Sequence, residues 1–426
     1  MDPVVDLNEY VQRLSEHSML LRVENEVNPI YELAGLAVEA ERRRERALIF
    51  SSVKGSSVPV ASNLYSELDR VALAFGKTAP ELPQYFLEAM RSPIKPTFVK
   101  GAEVQEVRED SLDSLPIPHH SPSDAGRYIS GGILTALHQG RRAMQFARLQ
   151  VKDSRKLVVR IDPGRTMRSF MRDTDVLDVA VAIGAPPSVE YAAAVRGLDY
   201  DKLALAGALQ HKPVEVVKCL EVDCEVPARS QVVIEGMMEV KKLEQEGPFS
   251  EFTGYSSPSE LMPVIECKKV TRRSDGIFRT IVGGSLEHVM LNNVAREANV
   301  YQLLKRAVPG VLDVHLPAFG CGFIAFLSVK ADYVSEAKNA LLIALSAHPV
   351  VKYAIVVDED VNVRDERQVF WAVATRSGGD LDLVFAPRTY NHVMDPGSDN
   401  GFVHKLGIDA TFPPEKRERY KRVKYE

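Results

Sequence analysis

The middle third of the sequence is a succession of short strand patterns, and this feature limits the fold more than any other. Alternating apolar residues predict strands at 131–137, 143–151 and 157–161, with a hairpin-like turn at Gly140 and Arg141 between the first two. The same region contains further predicted strands at 214–220, 230–235, 264–272 and 277–282, and one predicted helix at 175–181. Consecutive short strands with Gly, Pro and Asp turns are typical of a mostly antiparallel barrel or sandwich.

Both flanks of this region alternate between helix and strand patterns. The N-terminal flank has predicted helices at 7–17 and 29–46 and a strand at 47–51. The C-terminal flank has predicted helices at 293–307 and 335–347, separated by strands. A chain of 426 residues is too long for one ordinary core. We therefore expect an α+β/α/β multidomain protein, with α/β regions on either side of a β-rich domain.

Composition excludes several classes of protein. The net charge of −5 and the isoelectric point near 6.1 do not favour nucleic-acid binding. No apolar run is long enough for a membrane span, and the first residues lack the apolar stretch of a signal peptide. The cysteines lack zinc-site spacing, so we expect reduced core thiols in a cytoplasmic protein. They are Cys219, Cys224, Cys267 and Cys321.

A ten-residue segment at 246–255, with the sequence EGPFSEFTGY, holds two carboxylates five positions apart. The proline of its Gly-Pro pair disfavours a helix, so we expect a bend that Glu246 enters and Glu251 leaves. Two acids held near each other tend to have different pKa values, so that one holds a proton while the other is ionised, which suits general acid–base chemistry. The alternative is a surface loop with solvated acids. The aromatic residues around the bend favour burial.

Arg148 lies in the predicted strand at 143–151. On a strand it shares one face with Met144, Phe146 and Gln150. A guanidinium on a largely apolar face requires an anion, because burying it unpaired is very costly. The two interpretations are a structural salt bridge and a cation at a functional site.

The motifs, in their order along the chain, resemble the UbiD family of reversible decarboxylases. The resemblance covers residues from about 7 to 411. It is carried by Arg148 on its strand, Glu235-Gly236, the segment at 246–255, and the sequence KLGIDAT at 405–411. Supporting segments are VAVAIGAPP at 179–187, LAGALQHKP at 205–213 and AVATR at 372–376.

The resemblance implies three regions: an N-terminal α/β region at 1–105, a split β-barrel domain of flavin-reductase type at 106–298, and a C-terminal α/β oligomerisation domain with its tail at 299–426. Members use prenylated FMN, which serves as the electron sink when CO2 departs. The implied partners are a small carboxylic acid as substrate, a flavin prenyltransferase that supplies the cofactor, and further copies of the chain in a homodimer or larger homo-oligomer.

The resemblance also implies site residues. Arg148, Glu246 and Glu251 match the family's Arg-Glu-Glu network, in which Glu251 would exchange the proton at carbon while Glu246 and Arg148 form an ion pair. Beside Arg148, the implied cofactor-binding residues are Phe146, Ala147, Arg165, Arg196, Lys202 and Lys405.

One part of the family pattern is missing. Many members anchor the flavin phosphate through a divalent metal and a potassium ion, and the metal ligands align with Ala143, Gly164 and Lys202. An alanine has no donor atom and a protonated lysine cannot bind a metal. We therefore expect no metal at this site, with Arg165, Arg196 and Lys202 supplying positive charge to the phosphate.

The chain is similar to compact archaeal-type members, among which are enzymes that convert trans-anhydromevalonate 5-phosphate to isopentenyl phosphate. Arg141 and Arg142 are candidate ligands for the phosphate of such a substrate, and the alternative for this pair is a solvated turn. Two other functions stay open. One is decarboxylation of an aromatic acid, such as a polyprenyl-hydroxybenzoate, and the other is a UbiD-like flavin-binding subunit without turnover.

Overall fold

The computed structural model describes residues 1–44, 46–162, 165–195, 200–331, 333, 335–391, 394–420 and 422–423. The chain divides into two compact units, Met1–Leu291 and Asn292–Glu426. The α-helices along the whole chain are α1 (Leu7–Glu16), α2 (Glu32–Arg42), α3 (Leu68–Ala74), α4 (Leu82–Arg91), α5 (Thr166–Asp173), α6 (Pro187–Ala194), α7 (Lys202–Leu209), α8 (Leu286–Ala307), α9 (Glu336–Ala347) and α10 (Glu366–Arg376).

The strands of the first unit form two small sheets, a hairpin and a barrel. They are β1 (Leu20–Val27), β2 (Ala47–Val53), β3 (Val60–Ser62), β4 (Thr97–Phe98), β5 (Val107–Glu109), β6 (Tyr128–His138), β7 (Arg141–Val151), β8 (Lys156–Val159), β9 (Val176–Ile183), β10 (Glu215–Lys218), β11 (Glu225–Pro227), β12 (Val232–Glu246), β13 (Phe249–Ser250), β14 (Ser256–Ser257), β15 (Glu260–Arg272) and β16 (Phe278–Arg279).

The barrel is closed and antiparallel. Its six strands follow the order β12-β9-β6-β7-β8-β15, and β15 pairs back onto β12. Alternate residues of β7 (Ala143, Ala147 and Leu149 among them) pack into an apolar core. The expected multidomain fold with a central barrel is confirmed, and the sandwich alternative is wrong. The domain boundaries at 105 and 298 stay predictions.

The helix predicted at 175–181 is wrong, because this segment is strand β9. It pairs with β12 on one side and β6 on the other. Residues from Val179 to Ile183 are all buried, so the segment reads as a continuous apolar run. Periodicity alone does not separate such a buried strand from a buried helix.

Two further sheets complete the first unit. One has the order β1-β2-β3-β16 and the other β11-β10-β4, and β13 pairs with β14 in a short hairpin. Cys224 and Cys267 are buried, whereas Cys219 and Cys321 are only half-buried, so the expectation of four core thiols holds for two of them.

The second unit is a five-stranded sheet with helices. Its strands are β17 (Val311–His315), β18 (Ile324–Val329), β19 (Tyr353–Asp358), β20 (Leu383–Tyr390) and β21 (Phe402–Ala410), in the order β17-β18-β19-β21-β20. The three central strands are parallel, and helices α9 and α10 contact them. This confirms the expected C-terminal α/β fold. Within the described ranges, no helix combines the length and apolar character needed to cross a bilayer.

Candidate active site

Strand β7 carries Arg148 on the face that lies outside the barrel core. Its neighbours Ala147 and Leu149 point into that core, so alternation places Arg148 on the opposite face. The guanidinium carbon lies 5.0 Å from the centre of the Phe249 ring. The cation is therefore held against an aromatic face and needs carboxylate partners.

Glu246, the last residue of β12, is the first of these partners. Arg148 Nε donates to Glu246 Oε1 at 2.9 Å and Nη2 donates to Oε2 at 2.7 Å. The Glu246 side chain has no solvent exposure. The Tyr128 hydroxyl also donates to Glu246 Oε1, at 3.1 Å, and accepts from Gly247 N at 3.1 Å. This bidentate pair is the geometry in which guanidinium and carboxylate interact most strongly.

Glu251 is the second partner. Arg148 Nη1 donates to Glu251 Oε1, and the Glu251 side chain is 10% exposed. Burial raises the pKa of Glu251 from its ordinary 4.5 to about 7, against the opposing effect of Arg148. A carboxyl group with this pKa can give or take a proton at neutral pH.

The bend between the two glutamates is held by neighbouring segments. Gly247 has φ of +88°, and a side chain there would come within 3.0 Å of Pro258 O. Asp124 Oδ1 accepts from both the backbone nitrogen and the hydroxyl of Ser250, at 2.7 and 2.8 Å. The turn at Gly247 and the contacts of Asp124 with Ser250 thus help to fix the position of Glu251. The predicted bend is present, and the expectation of burial holds for both acids.

Sequence reasoning missed three residues of this network. Tyr128 begins β6, Asp124 precedes that strand, and Arg160 follows β8 with its Nη1 4.0 Å from Glu246 Oε2. Each contacts a residue about 90 or more positions away along the chain. Local patterns therefore contained no signal for them.

A cleft of about 790 Å³ lies at the other end of β7. Its walls come from the β6–β7 turn, the starts of α5 and α7, and the turn before β11. Arg142 lies in this wall and donates to both Asp201 and Glu225. Because its charge is matched by two carboxylates, Arg142 is a poor ligand for a substrate phosphate, which argues against that candidate role.

The structure locates the remaining expected cofactor ligands as follows. Arg165 and Lys202 line the cleft. Phe146 is half-buried on the Arg148 face of β7, whereas the Ala147 side chain packs into the barrel core. Arg196 and Gly164 lie outside the described residues.

Lys405 is the exception among these candidates. It lies in the second unit on β21, with 3% exposure. Its ammonium donates to the carbonyls of Leu345 and Pro349 at 2.8 and 3.1 Å. Burial lowers the pKa of Lys405 to about 8. These hydrogen bonds join Lys405 to two carbonyls of its own unit, and cofactor binding by Lys405 stays a prediction.

The residues present fit a phosphorylated aromatic cofactor. The Arg148 face of β7 runs from the cationic cleft towards the buried acids, and Met144 and Phe146 lie between. From Met144 to Arg148 the strand rises about 13 Å. A long ligand with a charged end and a planar apolar end matches this face. At the two expected metal-ligand positions that the structure describes, Ala143 and Lys202 offer no ligand atoms to a divalent metal.

Three family models match successive parts of the chain. The model of the N-terminal domain of 3-octaprenyl-4-hydroxybenzoate carboxy-lyase matches residues 11–90, that of its Rift-related domain matches 97–286, and that of its C-terminal domain matches 289–410. Fold and site thus define a carboxy-lyase.

Similar proteins cover nearly the whole chain. An anhydromevalonate phosphate decarboxylase of Methanothermobacter thermautotrophicus is 30% identical over 98% of this chain and 99% of its own length. The UbiD-class enzyme HmfF of Pelotomaculum thermopropionicum, solved with FMN, is 36% identical, with a TM-score of 0.94 over 99% of this chain and 97% of that one. A 3,4-dihydroxybenzoic acid decarboxylase structure from Enterobacter cloacae is 28% identical, with a TM-score of 0.93 over 100% and 98% of the two chains. The chain belongs to the UbiD family of decarboxylases.

Proposed function

We propose that this protein is a prenylated-FMN-dependent, reversible decarboxylase of an unsaturated carboxylic acid, with Arg148, Glu246 and Glu251 as its catalytic residues. The observation that carries the proposal is the buried network in which Arg148 bridges the two glutamates. An ordinary surface ion pair would leave the carboxylates solvated. Here burial raises the pKa of Glu251 to about 7, so the group is matched to proton transfer at neutral pH.

Each residue has a separate task in this proposal. The bound cofactor supplies the electron sink for the pair released when the bond to CO2 breaks. Glu251 gives its proton to the carbon that loses CO2 and becomes a carboxylate, which Arg148 stabilises. Glu246 holds Arg148 in place through two hydrogen bonds. In the carboxylation direction Glu251 takes the proton back.

The first candidate substrate is trans-anhydromevalonate 5-phosphate. Two anhydromevalonate phosphate decarboxylases, from Methanothermobacter thermautotrophicus and Methanosarcina mazei, are 30% identical over 97% or more of this chain. The substrate is a small α,β-unsaturated acid, which suits the proposed chemistry. The product would be isopentenyl phosphate.

An aromatic acid is the second candidate. It is favoured by the fold similarity to the 3,4-dihydroxybenzoic acid decarboxylase, over the whole chain. Phe249, which packs against the Arg148 guanidinium, and Phe252, next to Glu251, give the buried acids aromatic surroundings. A polyprenyl-hydroxybenzoate belongs to the same candidate class.

The test is decarboxylation by the cofactor-loaded chain. The protein is co-produced with a flavin prenyltransferase, and CO2 release is measured in D2O on trans-anhydromevalonate 5-phosphate, 3,4-dihydroxybenzoate and 4-hydroxybenzoate. One acid should release CO2 and give a product with a single deuterium at the carbon that carried the carboxyl group. Cofactor-loaded protein that neither releases CO2 nor exchanges this hydrogen in the product would show a flavin-binding subunit without turnover.

We also propose that the chain forms a homo-oligomer. An evolved form of the similar HmfF enzyme is described as dimeric, at 34% identity and a TM-score of 0.91. Light scattering on the purified, cofactor-loaded protein gives its mass. A monomer at micromolar concentration would contradict this part of the proposal.

A further inference from the structure

The cleft at the start of β7 lacks the metal ligands expected of the family. Ala143 is 2% exposed and packs into the barrel core, where it offers only a methyl group. Lys202, the first residue of α7, places an ammonium where a carboxylate is expected. A cation at this position would repel a divalent metal and attract the phosphate that the metal is expected to hold. Relative to the family pattern, the Lys202 ammonium therefore takes the place of the metal ion as a source of positive charge.

We propose that Lys202 and Arg165 bind the flavin phosphate directly, without a divalent metal. This inference rests on the flavin binding of the proposed function and adds the way in which the phosphate is held. Lysine and arginine are both common phosphate ligands, the first as a point charge and the second through paired donors.

Lys202 is held at the cleft wall by its neighbours. Its Nζ donates to Ala193 O at 2.7 Å, near the end of α6. The helix that begins at Lys202 is capped by Asp201, whose Oδ1 accepts from Leu203 N at 3.0 Å. The ammonium thus has a fixed position before any ligand enters, which lowers the ordering cost of binding.

Arg165 comes from a different wall of the cleft. It is the N-cap residue of α5, and both Arg165 and Thr166 line the cleft. An arginine offers no side-chain oxygen that could cap the helix. Its positive charge therefore adds to the positive end of the helix dipole instead of offsetting it.

Two of the carboxylates that line the cleft are engaged by another cation. Asp201 and Glu225 each accept from the buried guanidinium of Arg142. Asp223 lies exposed at the rim, where water screens its charge. Arg142 thus engages two of the three acids that line the described part of the cleft, whose walls also carry Lys202 and Arg165.

The same acids do not form an evident metal site. Among the described residues, no group of three or more acidic, histidine or cysteine side chains is arranged to hold a metal ion. A metal held by Asp201 and Glu225 would also have to displace Arg142 from both. Direct contact with the cations is the simpler route to phosphate binding.

The test measures flavin affinity instead of turnover. Apo-protein is titrated with FMN, and separately with riboflavin, which lacks the phosphate, and flavin fluorescence gives each Kd. Both titrations are repeated with EDTA in potassium-free buffer, and again with Mn²⁺. Metal analysis of the FMN-bound protein accompanies them. The variants are Lys202→Ala, Lys202→Arg and Arg165→Ala, with Lys268→Ala, an exposed lysine of β15, as the control.

We expect EDTA to leave the Kd for FMN unchanged and the bound protein to contain no stoichiometric metal. Lys202→Ala and Arg165→Ala should each weaken FMN binding about tenfold or more, since a charged hydrogen bond to phosphate is lost. Riboflavin binding should not change, and Lys202→Arg should restore part of the FMN affinity. Lys268→Ala should behave as the wild type.

Other results overturn the inference. Loss of FMN affinity in EDTA with recovery in Mn²⁺ would show a metal site. Equal losses for FMN and riboflavin in the variants would show that the two cations do not contact the phosphate. Metal-independent FMN binding without decarboxylation by the prenylated form would refute the proposed function and keep this inference. No FMN binding at all would refute both.

Discussion

The two arginines of β7 invite comparison. Arg142 and Arg148 are six residues apart on one face of the strand, and their side chains are almost equally buried, at 7% and 9% exposure. Each guanidinium contacts two carboxylates. Arg142 contacts Asp201 and Glu225, whereas Arg148 contacts Glu246 and Glu251.

The difference lies in the carboxylates. The side chains of Asp201 and Glu225 are 31% and 17% exposed, whereas those of Glu246 and Glu251 are 0% and 10% exposed. Water can stabilise the first pair in its charged form. The second pair is hydrogen-bonded to Arg148, with Arg160 4.0 Å from Glu246, and these cations do not fully offset the loss of water around Glu251. Equal pairing thus leaves two partly hydrated carboxylates at one end and an acid with a raised pKa at the other.

The largest expected effect is on turnover at the Arg148 end. Glu251→Gln should lower kcat by about 10²-fold or more while flavin stays bound, because an amide cannot give the proton to carbon. Glu225→Gln, the same change at the Arg142 end, should act on flavin affinity and leave kcat at saturating cofactor close to that of the wild type. Similar losses of kcat in both variants would contradict the separation of the two ends.

The pH dependence refines this prediction. In the proposed mechanism, decarboxylation needs the protonated form of Glu251, whose pKa is about 7, so kcat should fall as the pH rises above 7. Because the pKa lies above its ordinary 4.5, the carboxyl group also stabilises the fold at low pH, and this contribution is lost between pH 4.5 and 7. The difference in unfolding free energy between wild type and Glu251→Gln should therefore change over that range. A constant difference would show that the pKa of Glu251 is not raised.

The next effect is on stability. Arg148→Met removes the hydrogen-bonded cation of two buried carboxylates and should lower the free energy of unfolding by about 3–5 kcal/mol. Arg142→Met leaves two partly hydrated carboxylates and should cost about 1 kcal/mol. Urea denaturation of the flavin-free variants measures both. The Arg148→Met loss should grow with pH, because protonation relieves stranded carboxylates at low pH. Equal losses would show that the burial of the acids has no energetic role.

The smallest effect belongs to Tyr128. Tyr128→Phe removes its hydrogen bond to Glu246, which should slow turnover by a few-fold, equivalent to about 1 kcal/mol. Gly247 N keeps a second acceptor in Gln150 Oε1 at 3.3 Å, so the bend itself should persist. Tyr200→Phe, which removes a hydrogen bond to Met90 O at the cleft, should change flavin affinity and not kcat. A normal kcat in Tyr128→Phe would remove this residue from the network.

Sequence reasoning succeeded where local patterns carry the information. The strands of the first hairpin, the helix at 7–17 and the Gly-Pro bend follow from periodicity and backbone restriction, and all are present. Sequence reasoning failed for elements that are buried on all sides. Strand β9 was predicted as a helix, and α6 and α7 were missed, because almost all of their residues are buried and their sequences show no polar face.

The sequence by itself determined which side chains the candidate site contains and which family pattern they follow, since both depend on residue identity and order. Tertiary structure decided which charges meet. Closure of the barrel brings Arg148 to Glu246, 98 positions away. Arg142 instead pairs with Asp201, which caps α7, and with Glu225 of β11. It also decided the burial of each carboxylate. Burial sets how far water supports a charge, and only the packed fold determines it.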